Sequence, residues 1–189
     1  HVISHLLNHS NVWHKSKRIL AKASADEILD FEFFDFFHSN LTHFDVSDEE
    51  CLGYPNFYWR LVRPQQFSDV GPLHRDSWFW DLNSQFCKPD FNFRRIKVWI
   101  PIYTEPMLNG LLLEPNSHLR DDIEWSGEQR HGINKPVLLT GADKFSCQLI
   151  PSNPGESIIF HDDLIHGGSL NNGKNTRVSL EFTLLVRDN

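Results

Sequence analysis

Long apolar runs are missing from this sequence. Stretches such as Leu111–Leu113 and Ile158–Phe160 stand in their place, whereas a helix across a bilayer needs about 20 consecutive apolar residues, so no membrane association is expected. The first residues, with His1, His5 and His9 among polar neighbours, hold no apolar segment of the kind a signal peptide uses. Blocks of Lys and Arg are missing too, and the formal net charge is −7. Such a surface repels a phosphate backbone, so nucleic acid is not an expected partner and a small-molecule substrate is. Cysteine is sparse: Cys51, Cys87 and Cys147 are widely separated, form no CxxC pair and are odd in number. Three free thiols in a reducing compartment are the expectation, and a cytoplasmic location with them. Repeats, low-complexity tracts and linkers are absent as well.

Aromatic residues, in contrast, are plentiful. The 189 residues include 15 Phe and 6 Trp, enough apolar mass for one domain to bury a core unaided. A single domain over 1–189 is expected, helical to about residue 50 and β-rich from about residue 55, with a monomer as the simplest assembly. Ser24 and Glu27 read as a capping box just before Ile28 and Leu29, and Leu29, Phe33, Phe36 and Phe37 follow at helical spacing. That pattern predicts one helix of about three to four turns, its Phe face packed on something larger. Further on, short β-rich segments are punctuated by Gly, Pro and Asn: Phe57–Arg63, Ile96–Tyr103, Leu111–Glu114, Cys147–Ile150, Glu156–His161 and Arg177–Arg187. Helix first and strands afterwards argue for α+β architecture with a jelly-roll core. The polar stretch from Arg120 to Asp143, with Gly127, Gly132 and Gly141, reads as a long insertion of the kind that forms lids.

The chemistry begins with histidine and aspartate. Two imidazoles and one carboxylate on one face of a metal leave three positions open, the facial triad of non-haem iron(II) oxygenases. His-x-Asp on extended chain supplies two of them, because residues i and i+2 point the same way. Three such pairs occur: His43–Asp45, His74–Asp76 and His161–Asp163. The first follows the Phe-rich helix in a polar loop. The last ends a strand and, with His166, would make a purely local site. The pair His74–Asp76 gains weight from what lies downstream of His166. Eleven positions beyond it Arg177 opens a strand whose next same-face residue is Ser179, while Val178, Leu180, Phe182, Leu184 and Val186 form the apolar opposite face. Arg177 and Ser179 therefore project together into the barrel. A guanidinium fork with a hydroxyl beside it suits the distal carboxylate of 2-oxoglutarate.

Taken in order, His74-Arg75-Asp76 with Ser77-Trp78-Phe79-Trp80, then Val98-Trp99-Ile100-Pro101, Asn109-Gly110 leading to Glu114 and His118, Gly155 through Phe160, His166-Gly167-Gly168 and Arg177-Val178-Ser179 resemble the phytanoyl-CoA dioxygenase-like branch of the 2-oxoglutarate oxygenases. The resemblance implies a double-stranded β-helix, iron(II) on His74, Asp76 and His166, 2-oxoglutarate on Arg177, O2 as the oxidant, and Trp99 bordering the co-substrate. His118 then belongs to a structural turn. Gly168 stands where some members carry a hydroxyl, which leaves Ser179 or Ser169 to compensate. Asp76 argues against halogenation, which needs that carboxylate removed. Thr183, where relatives that repair nucleic acid carry a second Arg, argues against that branch.

The resemblance leads to an expected hydroxylation of a C–H bond of a small metabolite or carbohydrate-like natural product, with release of succinate and CO2. Trp78 and Trp80 offer aromatic faces for a sugar ring, with core packing as the competing role. Arg60 offers a charge for an anionic group, with an ion pair as the competing role. Two other classes share the pattern in part: a cupin-like metal-dependent isomerase or lyase, and a jelly-roll binding module without catalysis. The first lacks its usual cluster of histidines with a Glu on one strand. The second has no use for an intact triad with Arg177.

Overall fold

Eleven residues of one strand organise the molecule. The computed structural model describes residues 18–83, 86, 92–130 and 133–187, and the strand Arg177–Arg187 lies at the middle of its main sheet. Numbered along the chain, the helices are α1 (Lys22–Leu29), α2 (Phe33–Asn40) and α3 (Ser77–Leu82). The strands are β1 (Phe44–Val46), β2 (Tyr58–Val62), β3 (Phe93–Tyr103), β4 (Leu111–Leu113), β5 (Trp125–Arg130), β6 (Ile133–Leu138), β7 (Gln148–Ile150), β8 (Ile158–His161), β9 (His166–Gly168) and β10 (Arg177–Arg187). One edge of β10 is shared by β1 and β2; β3 lies along its other edge and carries β8. A second sheet runs β7-β4-β9, and β5 with β6 forms a separate hairpin. All these pairings are antiparallel. The architecture is the expected one: α+β, β-rich, a cupin-like jelly roll with supporting N-terminal helices.

Helices α1 and α2 cover the apolar face of β10. Leu180, Phe182, Leu184 and Val186 join Val98, Phe34, Phe37, Phe57 and Ala25 in the largest apolar cluster. Phe182 is fully buried, and its ring meets Phe33, Phe34, Phe37 and Phe57 at centroid distances of 5.0 to 6.4 Å, three of the four edge-on. Edge-to-face pairs add to what area burial alone supplies.

Helical prediction differs from the structure in two respects. The single predicted helix is two, broken at residues 30–32, and no capping box forms: Ser24 lies inside α1, whose N-cap is Ala21 without a side-chain bond. The chain ahead of the helix is pinned to β2 by the Ile19–Tyr58 bridge and by Leu20 N–H donating to Phe57 O at 2.9 Å, which sets the helix start earlier. The break also restarts the periodicity. Phe34 and Phe37 are buried, while Phe36 is 54% exposed.

The predicted insertion is largely the β5–β6 hairpin. It is clamped to α3 by Trp125 stacked on Trp78 (5.1 Å, 10° between planes) and by a reciprocal amide exchange: Asn83 Nδ2 donates to Asn134 O and Asn134 Nδ2 to Leu82 O. Its polar composition and Pro136 had concealed the strands. The short strands β1 and β9 and this pair, four strands in all, were not predicted. Nor are the thiols all free: Cys51 is disulfide-bonded, and Cys147 is free. Among the described residues no helix is long and apolar enough to cross a membrane.

If the aromatic cluster carries the packing of helices onto the sheet, Phe182→Ala should cost about 3–5 kcal/mol. Chemical denaturation should then show a lower midpoint with an unchanged slope; a loss below about 1 kcal/mol would mean the cavity collapses without cost.

Candidate metal centre

Two of the candidate ligands are backbone partners. His74 N–H donates to His166 O at 2.9 Å and His166 N–H to His74 O at 3.0 Å, an isolated antiparallel bridge that adds His74 to the edge of β9. Residues directly opposite in such a pair carry their side chains on the same face of the sheet. The two imidazole rings accordingly lie 4.4 Å apart. One residue beyond Arg75 the backbone turns helical. Asp76 is the N-cap of α3, at φ −67° and ψ −32°, with its N–H donating to Asp162 O. The His-x-Asp motif thus spans a β-bridge and a helix start, not continuous extended chain. Asp76 still meets both rings: Oδ1 is 3.6 Å from His74 Nε2, and Oδ2 is 3.3 Å from His166 Nε2. The ligand atoms of His74, Asp76 and His166 all lie within 4.8 Å of one another.

The tautomers are set by the chain itself. His74 Nδ1 lies 2.8 Å from Pro72 O, and His166 Nδ1 lies 2.9 Å from Leu164 O. A carbonyl can only accept, so each Nδ1 carries the proton and each Nε2 lone pair is free on the side facing Asp76. Burial pushes the His166 imidazole down to about 4 against the opposing pull of Asp76, which keeps it neutral. Burial, the largest single influence, would raise the Asp76 carboxyl; Lys97, His166 and His74 together outweigh it and hold the group below the ordinary carboxylate range. Neutral imidazoles and an ionised carboxylate are the forms that bind a divalent cation. Asp76 Oδ2 is buried without a hydrogen-bond partner.

Deeper in the barrel lies the second element. Arg177 and Ser179 are 4% and 0% exposed, with Arg177 Nε and Ser179 Oγ both lacking hydrogen-bond partners. Arg177 Nη1 donates to Gly110 O, and its guanidinium stands 5.8 Å from the Trp99 ring centroid. Burial lowers its pKa to about 10, still charged at neutral pH. Among the described residues no carboxylate forms an ion pair with it. A buried cation with spare donors and no counter-ion is costly unless a ligand brings the anion. Gly110 sits at φ +152°, and a Cβ there would meet Leu149 Cδ1 at 3.2 Å and Ile150 O at 3.3 Å, so a side chain would displace the carbonyl that holds Arg177. At Gly168 a Cβ would make ordinary contact with Arg177 Nη2, at 3.6 Å. Ser169 Oγ donates to Gly110 O at 3.3 Å instead.

The other sequence candidates have partners within the protein. Trp78 packs with Ile123 and Ile165 beneath Trp125. Trp80 lies against Phe86 and Phe93 with Arg95 over its ring. Arg60 donates through Nε (2.9 Å) and Nη2 (2.6 Å) to Glu181 Oε1. His161 and Asp163 group with Asp162, not with His166; Asp162 is paired with Arg95, and His161 is stacked on His118. His43 precedes β1 and Asp45 lies within it, and neither joins a ligand cluster among the described residues; the N-terminal histidines His1, His5, His9 and His14 lie outside the described residues. Sequence reasoning missed Lys97, Thr183 and Glu49 as a polar interior. Lys97 Nζ donates to Thr183 Oγ1 (3.1 Å), and Thr183 Oγ1 to Glu49 Oε1 (2.6 Å). The alternation of β10 placed Thr183 on the Arg177 face and was the available signal.

Comparison with known proteins bears on the family and the fold. Residues 10–179 match the family described as phytanoyl-CoA dioxygenase (PhyH). A search of curated proteins by sequence finds no match. Among solved structures, EvdO2 from Micromonospora carbonacea var. aurantiaca is similar with a TM-score of 0.65 and 14% identity, over 89% of this chain and 66% of EvdO2. Its complex with 2-oxoglutarate gives the same TM-score, covering 65% of that protein. The non-haem α-ketoglutarate-dependent epimerase SnoN from nogalamycin biosynthesis follows, with a TM-score of 0.56 and 13% identity over 97% of this chain and 69% of SnoN. The chain spans about two-thirds of the length of these proteins. At such identities the likeness is one of fold.

The ligand set can be tested by metal binding alone. Asp76→Ala should lower Co(II) affinity by at least about 10-fold, followed by the visible spectrum of the bound ion, whereas Asp163→Ala should leave it unchanged. The reverse pattern would move the metal to the His161 cluster.

Proposed function

The chain belongs to the phytanoyl-CoA dioxygenase family, and from that premise we propose that it is an iron(II)- and 2-oxoglutarate-dependent oxygenase acting on a C–H bond of a small molecule. The observation that carries this reading is the pairing of two incomplete sites. A His2Asp set with both Nε2 lone pairs turned toward one carboxylate lies in the same barrel as a buried guanidinium with no anion of its own. His74, Asp76 and His166 would hold the iron. Arg177 and Ser179 would bind the distal carboxylate of 2-oxoglutarate, with Trp99 as a wall. These donors fit the two groups: two neutral imidazoles with one carboxylate suit ferrous iron, and the unpaired Arg177 Nε and Ser179 Oγ suit a carboxylate. When bound, iron and 2-oxoglutarate supply the O2-dependent oxidising chemistry, releasing succinate and CO2.

The protein's share is placement. The reciprocal His74–His166 bridge fixes both ligands to one sheet edge, and the Pro72 and Leu164 carbonyls fix their tautomers. The Arg177 fork is fixed from behind by Gly110 O. Support for a co-substrate carboxylate also comes from EvdO2, whose structure was determined with 2-oxoglutarate. SnoN is named an epimerase, so the outcome at the C–H bond, hydroxylation or inversion, is a matter for the substrate assay. The substrate class proposed is a small metabolite or carbohydrate-like natural product. Trp78, Trp80 and Arg60 are left out of its site, since each has a partner inside the protein. A cytoplasmic location, inferred from free thiols, loses that footing with the disulfide at Cys51.

Anaerobic addition of Fe(II) and 2-oxoglutarate should produce the weak visible charge-transfer band of the chelate, and His166→Ala should abolish it. No band in the wild-type protein would return the fold to the rival readings, a cupin-like isomerase or lyase or a binding module. Arg177→Met should weaken 2-oxoglutarate on the order of 100-fold, since it removes one partner of a buried charge pair, while Fe(II) binding changes little. Equal loss of both would make Arg177 structural. Succinate release stimulated by added candidate compounds then identifies the substrate.

A further inference from the structure

The floor of the metal centre is a cation. Lys97, on β3, is 6% exposed, and its Nζ lies 3.6 Å from Asp76 Oδ2. That distance is too long for a hydrogen bond and short enough for strong charge coupling. The same ammonium donates to Thr183 Oγ1, which in turn donates to Glu49 Oε1; Glu49 is 9% exposed and also accepts from Tyr58 OH at 3.3 Å. Lys97 thus stands between two buried carboxylates, a ligand on one side and Glu49 on the other. Register supports this placement: Lys97 is opposite Thr183 of β10 and opposite Phe160 of β8, so the side chain is enclosed by sheet on both sides.

We propose that Lys97 is a positioning residue that tunes the metal: its ammonium draws charge from the Asp76 carboxylate, so the bound ion is held less tightly and is left more electron-poor, while Glu49 behind it limits the effect. The inference rests on the reading of His74, Asp76 and His166 as ligands. Its physical basis is competition for one carboxylate. Asp76 Oδ2 has no hydrogen-bond donor, so the charge it offers is divided between an arriving dication and the fixed ammonium. A second cation within a few ångströms raises the cost of seating the first. Electron density withdrawn from the ligand is also withdrawn from the metal, which raises the energy of any transition that moves an electron from metal to co-substrate.

Two substitutions push in opposite directions. Lys97→Met removes the competitor, so Co(II) should bind more tightly, on the order of 10-fold, and the Fe(II)–2-oxoglutarate band should move to longer wavelength. Glu49→Gln removes the counter-charge behind Lys97, so Co(II) should bind more weakly and the band should move to shorter wavelength. A residue that merely supports the fold predicts weaker binding in both variants and an unmoved band; that result overturns the proposal. Thermal melts accompany both. If Lys97→Met does not fold, Glu49→Gln still decides, since tighter or unchanged Co(II) binding in it also overturns the proposal. A wild-type protein that binds Co(II) but gives no band with Fe(II) and 2-oxoglutarate would defeat the oxygenase reading and leave the Co(II) comparison to judge Lys97.

Discussion

A strand buried on both faces is stable only where each face meets a matched surface, and β10 does so with opposite chemistries. Leu180, Phe182, Leu184 and Val186 meet a wall of phenylalanine rings, most of them from helix α2. Arg177, Ser179 and Thr183 face a polar interior and are each less than a tenth exposed. The apolar side offsets what the polar side costs, because charged and hydroxyl groups buried without full partners are unfavourable. Arg177, Ser179 and the groups registered against them depend on that arrangement. Arg177 and Ser179 lie on the strand, Lys97 and Trp99 are registered against it on β3, and Arg60 is registered against it on β2.

Metal and co-substrate sites are built differently on this base. The histidines proposed as ligands are fixed by backbone, through a mutual pair of hydrogen bonds and a carbonyl at each Nδ1. Such bonds do not depend on side-chain choice, so the imidazoles hold their orientation whatever surrounds them. Arg177, in contrast, is fixed by one carbonyl whose position requires glycine at 110. Its Nε is buried without a hydrogen-bond partner, which is unfavourable unless an anion arrives. Binding and stability are then linked, with the co-substrate supplying the missing partner.

Much of this was legible in the residue pattern. The alternation of β10 gave both its faces, and the offset from His166 to Arg177 singled out one His-x-Asp pair among three. The helix break at residues 30–32 was not legible, because Leu29, Phe33, Phe36 and Phe37 satisfy a continuous helical period as well as an interrupted one. The β5–β6 hairpin was hidden for a related reason: strands with little apolar alternation carry no period-two signal. The disulfide at Cys51 contradicted an inference from cysteine count, since spacing along the chain says little about distance in space.

The sequence by itself determined the chemical types: two imidazoles, a carboxylate, a guanidinium and a hydroxyl, and which strand face carried the last two. Those follow from local periodicity, which depends only on the geometry of neighbouring residues. Tertiary structure alone decided that His74 and His166 are direct cross-strand partners, that Trp78 stacks on Trp125 and that Arg60 pairs with Glu181. It also placed Lys97 beneath Asp76. The His74–His166, Asp76–Lys97 and Arg60–Glu181 contacts join residues 92, 21 and 121 positions apart, and no local rule fixes which distant groups a closed barrel brings within reach of one another.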